Sequence, residues 1–158
     1  FIINTHGHGD HIFGNGYFDC PVYIHRLEKD FLTDPNKNLS GVFGLFLKTS
    51  KATKLLEDEE KVLLDDLELE IMHTPGHTPG GISIKLDGVV FTGDTLFAGG
   101  VGRTDLPLGN YETLLKSIEE KLFNLSDDTV VYPGHGEEST IGQEKRTNPF
   151  FAKSHSEH

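Results

Sequence analysis

The chain has no tryptophan, one methionine, a single cysteine (Cys20) and no long apolar run. One cysteine cannot form an internal disulfide, which fits a reducing cytoplasm. Cys20 itself reads as a small apolar or loop residue rather than a catalytic thiol. No segment approaches the roughly 20 apolar residues of a membrane-spanning helix, and no signal-peptide pattern is present. Basic residues are also scarce. Lys and Arg number 14 against 25 Asp and Glu, a formal net charge of -11. Without a basic patch, nucleic acid and acidic membrane surfaces are not expected partners. There are no repeats and no low-complexity tracts. The chain opens on Phe1 rather than Met, which reads as a fragment, a processed chain or a numbering artefact.

What the chain does have is 158 residues, enough for a single domain over 1–158 with a real core, and 18 glycines, many of them beside histidine, threonine or aspartate. Phe1 to Asn4 reads as a short buried strand, and Val22 to Ile24 as a second. Leu27 to Phe31 reads as a helical turn and Asp34 to Asn38 as a turn by its chemistry. Leu67 to Met72 alternates apolar and acidic residues, as a half-buried strand does. Asp87-Gly88 between two β-like runs signals a hairpin. Leu114, Leu115, Ile118 and Leu122 form one stripe, predicting a helix over 111–123 with Asn110 as its N-cap. Thr129 to Tyr132 reads as a buried strand. Glu57 to Glu60 is expected to be a solvated acidic face, and the tail from Ser154 to His158 to be frayed, so His155 and His158 are not candidate ligands.

Four polar motifs each follow a strand-like run: Thr5 to His11, His73 to Thr78, Gly93-Asp94-Thr95, and Pro133-Gly134-His135-Gly136. Loops at strand ends are where a rigid scaffold presents reactive groups. In an extended segment His6 and His8 point to the same side and can share one metal ion. Asp10 and His11 project differently as the chain turns, which suits a second ion. His77 lies among prolines that fix the backbone and glycines that permit close approach. Asp94 offers two oxygens and can bridge two cations about 3.5–4 Å apart. His135, between glycines, can reach the second. His73 reads as a satisfied polar residue at a strand end, and His25 as structural. The apolar run Leu39 to Leu47, with Gly41 and Gly44 as possible hinges, is either a cover over the mouth of the site or plain core.

The set Thr5-His6-Gly7-His8-Gly9-Asp10-His11, His77, Asp94 and His135 resembles the metallo-β-lactamase superfamily. Gly93 to Asp105, Tyr132 to Gly136 and Glu144 to Phe150 look like its hydroxyacylglutathione hydrolase (glyoxalase II) branch. The resemblance implies an α/β (α+β) fold, the αββα sandwich, with the first sheet incomplete because the strands and helix that normally precede the first histidine motif are absent. Strand edges of that sheet are then expected to be exposed. It further implies the short type, lacking the C-terminal helical domain.

By the same resemblance, two divalent ions are expected, zinc first with iron or manganese as alternatives. His6, His8 and His77 would hold one, Asp10, His11 and His135 the other, and Asp94 would bridge them. The implied reaction is hydrolysis of a glutathione-type or other acyl thioester by a metal-bridging hydroxide, with Asp10 orienting the nucleophile. Arg103 would pair with a substrate carboxylate or with Asp105. The rival readings are a persulfide dioxygenase with one iron, a nuclease of the same superfamily, and a metal-binding remnant without activity.

Overall fold

Period-two alternation sorts the side chains of each strand between two faces, and this sorting builds the layers. In the computed structural model, which describes residues 1–152, β1 (Ile2–Ile3), β2 (Val22–His25) and β3 (Lys54–Leu56) form a parallel sheet in that order. Ile2, Val22 and Ile24 pack outward on Ile12 of helix α1 (Gly9–Ile12) and on Leu32 of the 3-10 segment Arg26–Leu32. Ile3, Tyr23 and Leu56 face the other way, onto the second sheet. β1 lies at an edge of its sheet, and Phe1 beside it is exposed.

The second sheet takes β4 (Lys61–Leu64), β5 (Leu67–His73), β6 (Ile82–Leu86) and β7 (Val89–Gly93). A small hairpin of β8 (Leu96–Phe97) and β9 (Gly100–Val101) follows. Beyond it come β10 (Val130–Pro133) and β11 (Ser139–Thr140), giving the order β11-β10-β7-β6-β5-β4. Val62, Leu69, Ile71, Ile82 and Ile84 meet the first sheet in one core. Met72, Val90 and Val131, on the opposite face, meet Leu114 and Ile118 of α2 (Tyr111–Glu120), Leu122, and Ile141 of α3 (Ile141–Thr147). The layers therefore run helix, sheet, sheet, helix, the αββα sandwich that the motifs implied.

The local expectations hold in element type, with shifted ends, but β1 and β10, expected to be buried strands, are only partly so, with Phe1 beside β1 42% and Tyr132 39% exposed. The Asp87-Gly88 turn joins β6 to β7, with Gly88 at φ +72°. The Asn110 side chain caps α2 by accepting from Thr113 N at 2.9 Å. The predicted helix to residue 123 instead breaks at Lys121 and tightens into a 3-10 turn over Leu122–Asn124, which still delivers Leu122 to the core. Asp34 Oδ1 accepts from Asn36 N at 2.9 Å, making the expected turn. In the acidic run, Glu57 pairs with Arg26 and Glu60 with Lys54, so these groups serve the surface. The tail histidines His155 and His158 lie outside the described residues.

β5 and β7 each run antiparallel to β6, and β10 runs parallel to β7. The C-terminal ends of β5, β7 and β10 therefore open on one edge, carrying the loops of His77, Asp94 and His135. The carbonyl of Thr5, just after β1, accepts from Ile82 N at 2.9 Å and brings the first motif to the same place.

Candidate metal centre

All seven predicted ligands converge at that edge. His6, His8 and His77 form one group of ligand atoms within 4.8 Å of one another; His6, His11 and Asp94 form a second, and Asp10, His11 and His135 a third. His8 Nδ1 stands 3.1 Å from His77 Nε2, and His11 Nε2 stands 3.2 Å from His135 Nε2. Asp94 lies between the clusters. Its Oδ2 is 3.4 Å from His77 Nε2, 3.8 Å from His6 Nε2 and 3.5 Å from His135 Nε2, while its Oδ1 is 3.2 Å from His11 Nε2. Asp10 Oδ2 completes the outer cluster, 3.1 Å from His135 Nε2 and 3.3 Å from His11 Nε2.

This geometry fits a pair of cations. His6 Nε2 and Asp94 Oδ1 are buried without a hydrogen-bond partner. Buried polar atoms are normally satisfied, and lone pairs aimed at one another need a positive centre between them. The second ring nitrogens are held from outside: His77 Nδ1 donates to Arg103 O at 2.7 Å, and His6 Nδ1 pairs with Thr5 Oγ1 at 3.2 Å. Such contacts set the tautomer that turns Nε2 inward.

The electrostatics divide the two clusters. Burial pushes His6 well below its ordinary pKa, with repulsion from His11 and the other rings adding to it. Burial and His77 bring His8 down to about 4. In the outer cluster, burial opposes charge on His11, but the neighbouring carboxylates of Asp10 and Asp94 outweigh it and raise the ring to about 9. The reciprocal bond from His11 holds Asp10 down at about 2. Burial thus disfavours a proton on the inner rings His6 and His8, whereas the outer pair His11 and Asp10 favour opposite charges on each other.

Two glycines make the convergence possible. A Cβ on Gly134 would overlap Asp94 Oδ1, and one on Gly93, at φ +52°, would overlap Thr5. Gly134 N also donates to Gly93 O at 2.7 Å, tying the ends of β7 and β10 together.

Several positioning residues carry no motif of their own. Glu28 is fully buried and accepts from Gly7 N at 2.8 Å and Gly80 N at 2.9 Å, joining the His6–His8 loop to the His77 loop. Asn4 and Asn15 exchange side-chain hydrogen bonds, and Asn4 also donates to His11 O at 3.2 Å. Glu144 and Asn148, within the Glu144–Phe150 stretch, hold the β8–β9 hairpin. Glu144 accepts from Gly99 N at 3.0 Å and Asn148 donates to Gly100 O at 3.0 Å. The Arg103 guanidinium makes a bidentate pair with Asp105 at 2.7 and 2.8 Å, the second of the two arrangements expected for it.

His25 and His73 stand outside the centre, as read from the sequence. Their rings stack at 4.3 Å, and His73 Nε2 donates to Pro79 O at 2.9 Å. Burial, with His73 adding repulsion, lowers His25 to about 4. A pKa below the unfolded value of about 6.5 means that the unfolded chain binds the extra proton. The stabilisation is present above about 6.5 and is lost as pH falls towards 4. His25→Asn can keep the acceptor for Leu27 N but cannot titrate. Its urea midpoint is expected to fall less steeply than that of the parent between pH 6.5 and 4.5; parallel curves would exclude this assignment.

Most of the 39–47 run is not core, although its last residue, Leu47, packs partly buried against the Ile12–Val22–Ile24–Leu32 cluster. Val42, Phe43, Leu45 and Phe46 are 65–77% exposed. Phe43, Leu45 and Leu47 line a cavity of about 770 Å³ whose walls include His8, Asp10, His77, Asp94 and His135. Leu39 at φ 65° and Phe46 at φ 47° hold left-handed backbone that is unfavourable for such side chains. Asn38 fixes the segment by donating to Phe31 O and Leu47 O at 2.8 and 3.0 Å. Phe43→Ala is therefore expected to change folding stability by no more than about 0.5 kcal/mol, as exposed substitutions do. The alternative core packing would have cost about 3–5 kcal/mol. Denaturant unfolding of the variant separates the two.

The fold and the ligand array together define a metallo-hydrolase scaffold, and the chain belongs to the metallo-beta-lactamase superfamily, whose family model matches residues 1–135. It is 43% identical to "Probable metallo-hydrolase YqgX" of Bacillus subtilis, an alignment covering 95% of this chain and 74% of the relative. It is 41% identical to hydroxyacylglutathione hydrolase GloC of Haemophilus influenzae, again over 95% of this chain and 74% of the relative. Among solved structures, the BLEG-1 B3 metallo-beta-lactamase superposes with a TM-score of 0.92 at 39% identity, covering 96% of this chain and 77% of that one. TTHA1623, solved in a di-iron-bound form, superposes with a TM-score of 0.79 at 34% identity, covering 94% and 76%. The seven-residue array fits the dinuclear metal centre of this superfamily. No helix among the described residues is long and apolar enough to cross a membrane.

Proposed function

We propose that the protein is a metal-dependent hydrolase of acyl thioesters, of the hydroxyacylglutathione hydrolase-like branch. The observation that carries this reading is the placement of Asp94, with one carboxylate reaching both histidine clusters. The GloC relative supports the thioester class. His6, His8 and His77 would hold one divalent ion, Asp10, His11 and His135 the other, and Asp94 would serve both. Zinc is the first choice; the di-iron form of a similar structure keeps iron open. When bound, such ions lower the pKa of water from about 16 towards about 7 and polarise the carbonyl under attack.

The chain's own residues do the rest. The thioester carbonyl enters from the cavity beside the cluster. Asp10 Oδ2, at the cavity face, would accept a hydrogen bond from the attacking water and so aim it. A C–O bond forms and the C–S bond breaks. One proton of the water leaves to solvent, and the thiol recovers another as the product departs. Phe43 and Leu45, on the cavity lining, would shield the acyl group from bulk water.

The test is metal analysis of purified protein beside a thioester assay. Close to two metal ions per chain, with thiol release, is expected. Oxygen uptake from a glutathione persulfide without thiol release, on one tightly bound iron, would replace this reading by a persulfide dioxygenase.

A further inference from the structure

The cavity beside the cluster is lined mainly by apolar side chains. Phe13, Phe43, Leu45, Phe97, Val101 and Leu106 form its walls, and the polar groups on it are chiefly the proposed ligands together with Asn38 and Ser40. Phe13, Phe43 and Leu45 are 55%, 77% and 69% exposed. Apolar side chains gathered in this way around a concave site mark a surface meant to be covered. At about 770 Å³ the cavity falls within the roughly 300–1,000 Å³ of small-molecule sites.

Charge decides what can cover it. Glutathione carries two carboxylates and an ammonium group, each of which needs a partner when drawn out of water. The one cationic side chain lining the cavity is Arg103, whose Nε and Nη2 are paired with the Asp105 carboxylate. Lysine is absent from the lining. A charged substrate arm gains nothing from Phe43 and Leu106, whereas a hydrocarbon chain there gains by leaving water.

We propose that this groove takes the uncharged, apolar acyl chain of the substrate, so that the substrates are thioesters of hydrocarbon acids rather than of small polar acids on glutathione. This rests on the thioester reading above and narrows it. The carbonyl sits at the cluster, and the chain runs from it beneath residues 39–47 and along the β8–β9 hairpin.

The test uses the metal-loaded protein and the N-acetylcysteamine thioesters of acetate, butyrate, hexanoate and octanoate, with lactoylglutathione as the charged competitor. Calorimetric binding of octanamide, a probe that cannot be turned over as a thioester, runs in parallel. kcat/KM is expected to rise along the series by about threefold to fourfold per methylene, the value of a buried CH₂ group, and to exceed that for lactoylglutathione. Phe43→Ala and Leu106→Ala should lower the octanoyl-to-acetyl ratio at least about tenfold and weaken octanamide binding. Both residues lie on the cavity wall rather than in the core, so circular dichroism should show the folded state retained. A flat series, or a tenfold preference for lactoylglutathione, would overturn the proposal and leave the hydrolase reading standing. Octanamide that fails to bind at millimolar concentration would overturn it equally. Octanamide binding that the two substitutions weaken, with no thioester hydrolysed at all, would support the apolar groove and remove the thioester reading instead.

Discussion

Asp94→Ala is expected to empty both metal positions together and to abolish turnover. The carboxylate reaches His77 and His6 on one side and His11 and His135 on the other, at 3.2 to 3.8 Å. Its removal takes a ligand from each cluster and the shared negative charge from between them. Loss of a supporting contact outside the ligand set already costs about 10–100-fold in affinity or activity. Loss of the shared ligand should therefore exceed about 100-fold. Elemental analysis after native purification should fall from about two ions per chain to well under one. Arg103→Ala, whose side chain is 62% exposed and paired with Asp105, should keep both ions. If Asp94→Ala retained two ions, or lost just one, the bridging role would be wrong.

The second large effect concerns Glu28, which the motif reading passed over. Its carboxyl is fully buried and receives Gly7 N and Gly80 N, one from each histidine-bearing loop. Burial raises its pKa, opposed by those hydrogen bonds, so the group sits at some cost and is retained for what it holds. Glu28→Ala orphans two buried N–H groups, each worth about 1–3 kcal/mol. A loss of about 2–6 kcal/mol is expected, together with weaker metal binding because His6, His8 and His77 would no longer be held in register. Urea unfolding of the metal-free protein and competition with a chelator measure the two effects separately. Glu28→Gln keeps one acceptor but turns an amide N–H₂ towards the other donor, and should fall between. Parent-like stability and metal affinity in Glu28→Ala would show the clamp to be incidental.

Much of this site was legible because its residues are clustered along the chain. Four candidate ligands in six residues, from His6 to His11, cannot hide in a sequence, and Pro and Gly around His77 and His135 marked loops at strand ends. The hairpin at Asp87-Gly88 and the stripe of α2 were equally local signals. The short strands β3, β4, β8, β9 and β11 were not anticipated. They run to four residues at most, too short for a period to declare itself, and they exist because neighbouring strands complete their ladders. Glu28, Asn4 and Asn15 were silent for a related reason: a polar residue looks the same in sequence whether it faces solvent or clamps a loop.

The motifs alone carried the resemblance to the family and the candidate ligands, since both reside in short stretches of the chain. Tertiary structure alone decided three things. Asp94 lies 83 to 88 positions beyond the first three histidines, at His6, His8 and His11, and became the shared centre because β7 ends beside β1. The Leu39–Leu47 run could have filled a core or lined a cavity, and lies in the open because Asn38 and Ser40 anchor it above the cluster. Arg103 could have met a substrate or Asp105, and the backbone after β9 sets it against Asp105. In each case burial and partner are properties of distance in space, which the order of residues along the chain does not record.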